Sequence, residues 1–247
     1  MPSVMDLALC ANAVYDRNVI KIGPWVRLGE PYGQESFGFY ASAFLHENGR
    51  ELIVAYRGTD DLVDAIDDVT IFLGKYPNQA IHAEKTLQEI ISKRRNINSI
   101  YLTGHSLGGG LASLMADAHN LPAVTFNAPG MARSSIPDWI PSGIKEIAAW
   151  SKSVFDSEKN ILHVRANFDV VSIGTGPRMG IIHNLTAICR VKTDPSNSFF
   201  VNLPKYGAVK LLETAGKFIL CQHEMLSILN ALKGNKLYFE PIIFSKF

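Results

Sequence analysis

The sequence predicts an α/β fold, with a mostly parallel central sheet flanked by helices and an N-terminal antiparallel hairpin leading into it. Three observations predict it. Short apolar runs at 99–102, 123–126 and 161–165 have the length and composition of strands buried on both faces. Segments of helical period alternate with these runs, the pattern of a parallel sheet. Two β-type runs, 37–45 and 51–56, flank His46-Glu47-Asn48-Gly49, whose Asn-Gly pair is a hairpin turn signal.

In chain order, Val4, Leu7, Ala8, Ala11 and Val14 recur at helical spacing over 1–15, and a short irregular stretch rich in Gly and Pro follows. The hairpin's second strand delivers the chain to Arg57-Gly58-Thr59-Asp60. Over 61–73, Leu62, Ile66, Val69 and Leu73 are spaced for a short amphipathic segment, with Asp60, Asp61, Asp64, Asp67 and Asp68 among them. A separate helix is expected over 82–93. The strand at 99–102 ends in Gly104-His105-Ser106-Leu107-Gly108, and a helical period resumes over 107–118. The last expected helix covers 221–232 and stops at Lys233-Gly234-Asn235. No repeat, low-complexity run or linker divides the chain, so one domain is expected over 1–247.

Composition narrows the partners. Lys plus Arg (24) against Asp plus Glu (23) leaves a net charge of +1, so no global field recruits nucleic acid or anionic membrane. Hydrophobic residues at 47% with 19% charged are globular values, too apolar for disorder. Cys10, Cys189 and Cys221 show no CxxC or Cys/His metal spacing and read as free thiols. The N-terminus has no basic leader and carries Asp6 where a signal peptide is apolar. Synthesis in the cytoplasm without a signal peptide is expected, with leaderless secretion an open route. No run reaches the ~18 apolar residues of a transmembrane helix, so any membrane contact is expected to be peripheral.

The chemistry centres on Gly104-His105-Ser106-Leu107-Gly108, a GxSxG placed between an apolar strand and a helix. A serine on such a corner is held in strained backbone with its hydroxyl exposed, and the glycines two before and two after let neighbouring chain approach. The following helix aims amides at developing negative charge, and the amide of Leu107 becomes an oxyanion donor. GHSLGGG has neither the GxGxxG order nor the GKS/GKT of a phosphate loop.

A serine nucleophile needs a base and an orienting carboxylate, here expected in the order Ser, acid, His. Asp169 closes a strand-like run and is the favoured acid; Asp156 and Asp194 lie in loop-like surroundings. His119 and His163 look structural. His223, after a long intervening stretch, is favoured as base over His183, which lies only fourteen residues past Asp169. His223-Glu224 is no zinc helix, because position 227 is Ser227, and no metal or cofactor is required.

With these residues in place, the chain resembles the class 3 lipases, the fungal-type triacylglycerol lipases and their bacterial and plant relatives within the α/β-hydrolases. The likeness runs through Ala55-Tyr56-Arg57-Gly58-Thr59, Asp68, Thr103 to Gly109, Thr125-Phe126-Asn127-Ala128-Pro129, Asn167-Phe168-Asp169-Val170-Val171 and His223. The resemblance implies that Ser106 is the nucleophile, Asp169 the acid and His223 the base. It also implies that Thr59 and Leu107 form the oxyanion hole, that Asp68 steadies the oxyanion loop, and that 60–74 is a lid able to contact lipid. Hydrolysis of lipid carboxylic esters in the manner of a triacylglycerol lipase, through an acyl-enzyme, follows, with phospholipase A1 or lysophospholipase action, even as a secreted effector, as the alternative. A non-catalytic binding protein on a hydrolase fold is the rival from another class. The chain departs from the family at Ala65, where many relatives carry a lid tryptophan, and at His183-Asn184-Leu185-Thr186; it also lacks the cysteines for the secreted members' disulfides.

Overall fold

The computed structural model describes residues 1–34, 38–58, 65–94, 96–130, 160–167, 169, 172, 180–185 and 223–242, with backbone alone at 34 and 65–78. Helix α1 spans Val4–Ala13. Strands β1 (Lys21–Ile22), β2 (Trp25–Arg27), β3 (Tyr32–Gln34), β4 (Phe39–His46) and β5 (Glu51–Tyr56) follow. Next come α2 (Ala65–Lys93), β6 (Ser99–His105), α3 (Leu107–His119), β7 (Ala123–Phe126), β8 (Ile161–Ala166), β9 (Ile181–Leu185) and α4 (Met225–Leu232).

The described strands form one sheet in the order β1-β2-β4-β5-β6-β7-β8-β9, with β3 also on β4. Pairing is antiparallel up to β4 against β5, and parallel from β5 through β9. The register sets Tyr56 beside Gly104 and His105 beside Phe126, so β5, β6 and β7 end at one edge of the sheet. The chain segments that carry Gly58, Ser106 and Asn127 therefore leave the sheet side by side.

Strand alternation explains the layers. On β5, Ile53 and Ala55 face a core shared with α1 and α4, whereas Leu52, Val54 and Tyr56 face a core shared with α2 and α3. On β6, Tyr101 joins the first core and Leu102 the second, and Thr103 donates through Oγ1 to the Leu7 carbonyl of α1 at 3.2 Å. The α1 helix starts with a capping box: Ser3 Oγ accepts from the Asp6 amide at 3.0 Å, and the Asp6 carboxylate accepts from the Ser3 amide at 2.8 Å. No helix among the described residues is long and apolar enough to cross a membrane.

The architecture is the expected α/β class, and several boundaries differ from the sequence pattern. The segment 61–73 and the helix 82–93 are not separate elements, because from Ala65 onward they form the single helix α2. Gly74 and Pro77 predict a break, and Pro in a helix interior costs about 3 kcal/mol. Against that, Leu87 and Ile90 are buried with Ala80 and Ala83, and each large side chain so buried is worth ~1.5–3 kcal/mol. Strand β6 runs to His105 rather than ending at 102, since parallel neighbours on both sides supply its hydrogen bonds. The last helix begins at Met225, with Glu224 as N-cap, so His223 precedes it; residues 221 and 222 lie outside the described part. Strands β1 to β3, in the stretch read as irregular, and β9 have too few residues to show a period.

The corner between β6 and α3 depends on close backbone approach. A Cβ on Gly108 would meet the carbonyl oxygen of Tyr56, and one on Gly104 would meet the backbone of Gly108. At Gly234 the nearest atom to such a Cβ is a carbonyl oxygen 3.6 Å away. Gly108→Ala is expected to cost about 1–3 kcal/mol or more and to lower Tm by several degrees, whereas Gly234→Ala should stay within about 0.5 kcal/mol of wild type. Thermal unfolding of the two variants tests the corner, and equal melting temperatures would contradict it.

Candidate active site

Ser106 occupies the residue between β6 and α3 with φ 54° and ψ −130°, a backbone state that non-glycine residues rarely adopt. Holding it costs on the order of 1–3 kcal/mol, met by bonds on both sides of the turn. The Ser106 amide donates to the Phe126 carbonyl of β7 at 2.9 Å, and its carbonyl accepts the Gly110 amide at 3.1 Å as the first bond of α3. Leu107 is the first residue of α3, so its amide is one of the four without an intrahelical acceptor. That amide lies next to the Ser106 hydroxyl in the chain, at the positive end of the helix dipole.

Two further side chains meet this serine. His223 Nε2 is 2.8 Å from Ser106 Oγ, and His223 Nδ1 is 2.7 Å from Asp169 Oδ1. All three are buried, with Ser106 4% exposed, His223 3% and Asp169 0%, so water competes little for these bonds. Asp169 Oδ2 accepts the Ser172 amide at 2.9 Å, and Ser172 Oγ donates back to the Asp169 carbonyl at 3.2 Å. Since the carboxylate takes the Nδ1–H, the bare Nε2 faces the hydroxyl and can accept its proton.

The electrostatics favour a charged Asp169. Burial by itself would raise its pKa, but the hydrogen bond and charge of His223, with the bonds from Ser172, outweigh burial and hold the carboxyl below its ordinary value. His223 is in turn hung from the sheet by its backbone: its carbonyl accepts from Asn127 Nδ2 at 3.0 Å and from His105 Nε2 at 2.6 Å. Asn127 adopts φ 46°, and its Oδ1 accepts the Ala166 amide at 2.8 Å, so one side chain joins β7, β8 and the histidine.

The remaining residues singled out in the sequence divide into two groups. His119 pairs with Glu84 at 2.7 Å, His163 Nδ1 lies 2.7 Å from Thr125 Oγ1, and His183 Nε2 lies 2.8 Å from Tyr238 Oη. Cys10 is a buried free thiol. Thr59, residues 60–64, Asp156, Asp194, Cys189 and Cys221 lie outside the described residues. Asp68 lies on the α2 backbone, and its side chain is outside the described part, as is that of Ala65. Sequence reasoning did not single out Ser172, Asn127 or His105. The last two stand inside the strings Thr125 to Pro129 and Gly104 to Gly108, but no spacing rule says that both side chains reach the backbone of residue 223.

The depressed pKa of Asp169 has a consequence for stability. A carboxyl whose folded value lies below its unfolded value of about 3.9 stabilises the fold fully above that pH and loses the contribution as pH falls through the folded value. Wild type should therefore lose stability more steeply than Asp169→Asn below about pH 4. Urea unfolding followed across that range checks this, and parallel curves would contradict it.

Comparison with known proteins places the chain in a family. Residues 8–176 match the Tle-like phospholipase domain of the phospholipase-like proteins. An extracellular phospholipase A1 of Serratia liquefaciens is 32% identical over 139 residues, covering 51% of this chain and 42% of that protein. A putative lipase, ATG15, of Scheffersomyces stipitis is 30% identical over 125 residues, covering 46% of this chain and 17% of that protein. The chain thus matches less than half the length of either relative. Among solved structures, the Lip2 lipase of Yarrowia lipolytica superimposes with TM-score 0.53 at 16% identity, covering 74% of this chain and 77% of its own, a likeness of fold. With more than half of its residues matched, the chain belongs to the Tle-like phospholipase domain family and has the α/β-hydrolase fold.

Proposed function

We propose that the protein is a serine hydrolase of lipid carboxylic esters. The observation that carries this reading is the hydrogen-bonded line from Ser106 Oγ through His223 to Asp169, at 2.8 Å and 2.7 Å, on a strained turn at the sheet's edge. Ser106 Oγ attacks the acyl carbon while His223 Nε2 takes its proton, and the imidazolium that forms is stabilised by the Asp169 carboxylate. The tetrahedral oxyanion is met by the Leu107 amide and by Thr59, the role that resemblance to the class 3 lipases implies for that residue. His223 returns the proton to the leaving alcohol. Water, deprotonated by the same histidine, then attacks the acyl-enzyme, releases the fatty acid and restores the Ser106 hydroxyl.

Phospholipids are the favoured substrate class, supported by the family and by the Serratia relative named as a phospholipase A1. Triacylglycerol is the second reading, supported by the relatives named as lipases. A fluorophosphonate should label wild type and not Ser106→Ala, and a panel of phospholipids, triacylglycerols and nitrophenyl esters should show turnover that Ser106→Ala and His223→Ala lose by at least about 1,000-fold. Absence of labelling on the folded protein would favour a non-catalytic binding protein.

The segment 60–74 is proposed as a lid over the acyl site. It follows Thr59 in the chain and from Ala65 onward forms the start of α2, and Leu62, Ile66 and Val69 suit an apolar strip that would be covered in water and exposed at an interface. Its five aspartates oppose an anionic surface. Liposome hydrolysis should fall as phosphatidylglycerol replaces phosphatidylcholine at low salt. A rise would remove the lid assignment.

A further inference from the structure

We propose that His105 and Tyr15 are positioning residues for ester hydrolysis, forming one hydrogen-bonded relay that holds the entry to the oxyanion loop and the backbone of the catalytic base in register with Ser106. The inference rests on the reading of Ser106, His223 and Asp169 as the catalytic groups.

The relay has four members and a single polarity. The Gly58 amide donates to Tyr15 Oη at 3.0 Å, Tyr15 Oη lies 3.4 Å from His105 Nδ1, and His105 Nε2 lies 2.6 Å from the His223 carbonyl. An amide can only donate and a carbonyl can only accept. His105 must therefore carry its hydrogen on Nε2, leaving Nδ1 to accept the Tyr15 hydroxyl. The ends of this line are the two backbone segments whose placement relative to Ser106 decides the chemistry. Gly58 precedes Thr59 directly, and a Cβ built on Gly58 would come within 3.2 Å of Ser106 Cβ and 2.8 Å of Tyr15 Oη.

The chemistry also requires that His105 stay neutral. Its ring centroid is 4.9 Å from that of His223, and a cation there would oppose the imidazolium that forms when Ser106 gives up its proton. Burial, aided by the charge of His223, pushes the pKa of His105 down to about 3. The groups that face it are the Tyr15 hydroxyl, His223, and Asp169, whose carboxylate is paired with His223.

Two substitutions separate the halves of the relay. A glutamine amide reaches the place of Nε2 and can still donate to the His223 carbonyl, whereas an asparagine amide reaches only the place of Nδ1. His105→Asn should lower kcat about 10–100-fold with KM within about twofold, since small misplacements of a catalytic group are this costly, and His105→Gln should recover most of that loss. Tyr15→Phe, which removes the acceptor for Gly58, should lower kcat with KM unchanged. A merely structural role for His105 would lower Tm in both histidine variants alike and leave kcat of the folded enzyme intact, and that result overturns the proposal. In wild type, ¹⁵N spectra of the assigned His105 ring should show the neutral Nε2–H form throughout pH 5–9, which decides the matter if neither variant folds; an Nδ1–H form or titration within that range overturns it. Ser106→Ala is run beside them. If it is inactive while His105→Asn is fully active, the relay alone fails; if Ser106→Ala retains turnover, the catalytic reading fails and takes the relay with it.

Discussion

The site depends on backbone touching backbone where a side chain would ordinarily stand. Gly104 and Gly108 let the start of α3 press onto the ends of β5 and β6, close enough that a single methyl group would collide with the Tyr56 carbonyl or with the turn itself. That approach permits Ser106 its positive φ, and the positive φ turns the hydroxyl away from the sheet toward His223. The strain of one residue is offset by a network around it: the Ser106 amide on β7, the Ser106 carbonyl on α3, and the parallel register that aligns three strand ends.

Burial gives the arrangement its second property. Asp169 and His223 are shut off from solvent, which would be costly for a lone charge, yet each side-chain polar atom of the pair has a partner. The carboxylate is held ionised by its hydrogen bonds, and it holds the imidazole in the tautomer that presents a bare nitrogen to serine. Because the His223 carbonyl accepts from both His105 at the end of β6 and Asn127 just past β7, this histidine is fixed by its main chain as well as by its ring. A residue just outside a helix, otherwise free to rotate, becomes part of the sheet's edge.

The N-terminal helix serves the same end from below. Its apolar face packs against β5, β6 and β7, and Tyr15, just beyond its C-cap Val14, reaches the Gly58 amide and the His105 ring beside Ser106. The opposite face of the sheet is covered by α3 and the second half of α2, and Ser106 stands at the corner between β6 and α3.

Much of this was legible in the residues themselves. The hairpin, the short buried strands and the serine corner are written locally, in an Asn-Gly turn, in runs of β-formers and in glycines two positions either side of Ser106. Asp169 and His223 could be favoured only by elimination and by resemblance to a known family, because they lie 54 positions apart and His223 lies 117 from Ser106, and no local period spans such gaps. The continuity of α2 through Gly74 and Pro77 and the pairing of three-residue strands were closed to sequence reasoning, since packing against the sheet overrides propensity there. By itself the sequence determined the fold class and the serine corner, whose causes lie within a few residues. Only the tertiary structure decided which acid and which histidine reach the serine and what steadies them, because hydrogen bonds between strand ends form only once the strands are side by side.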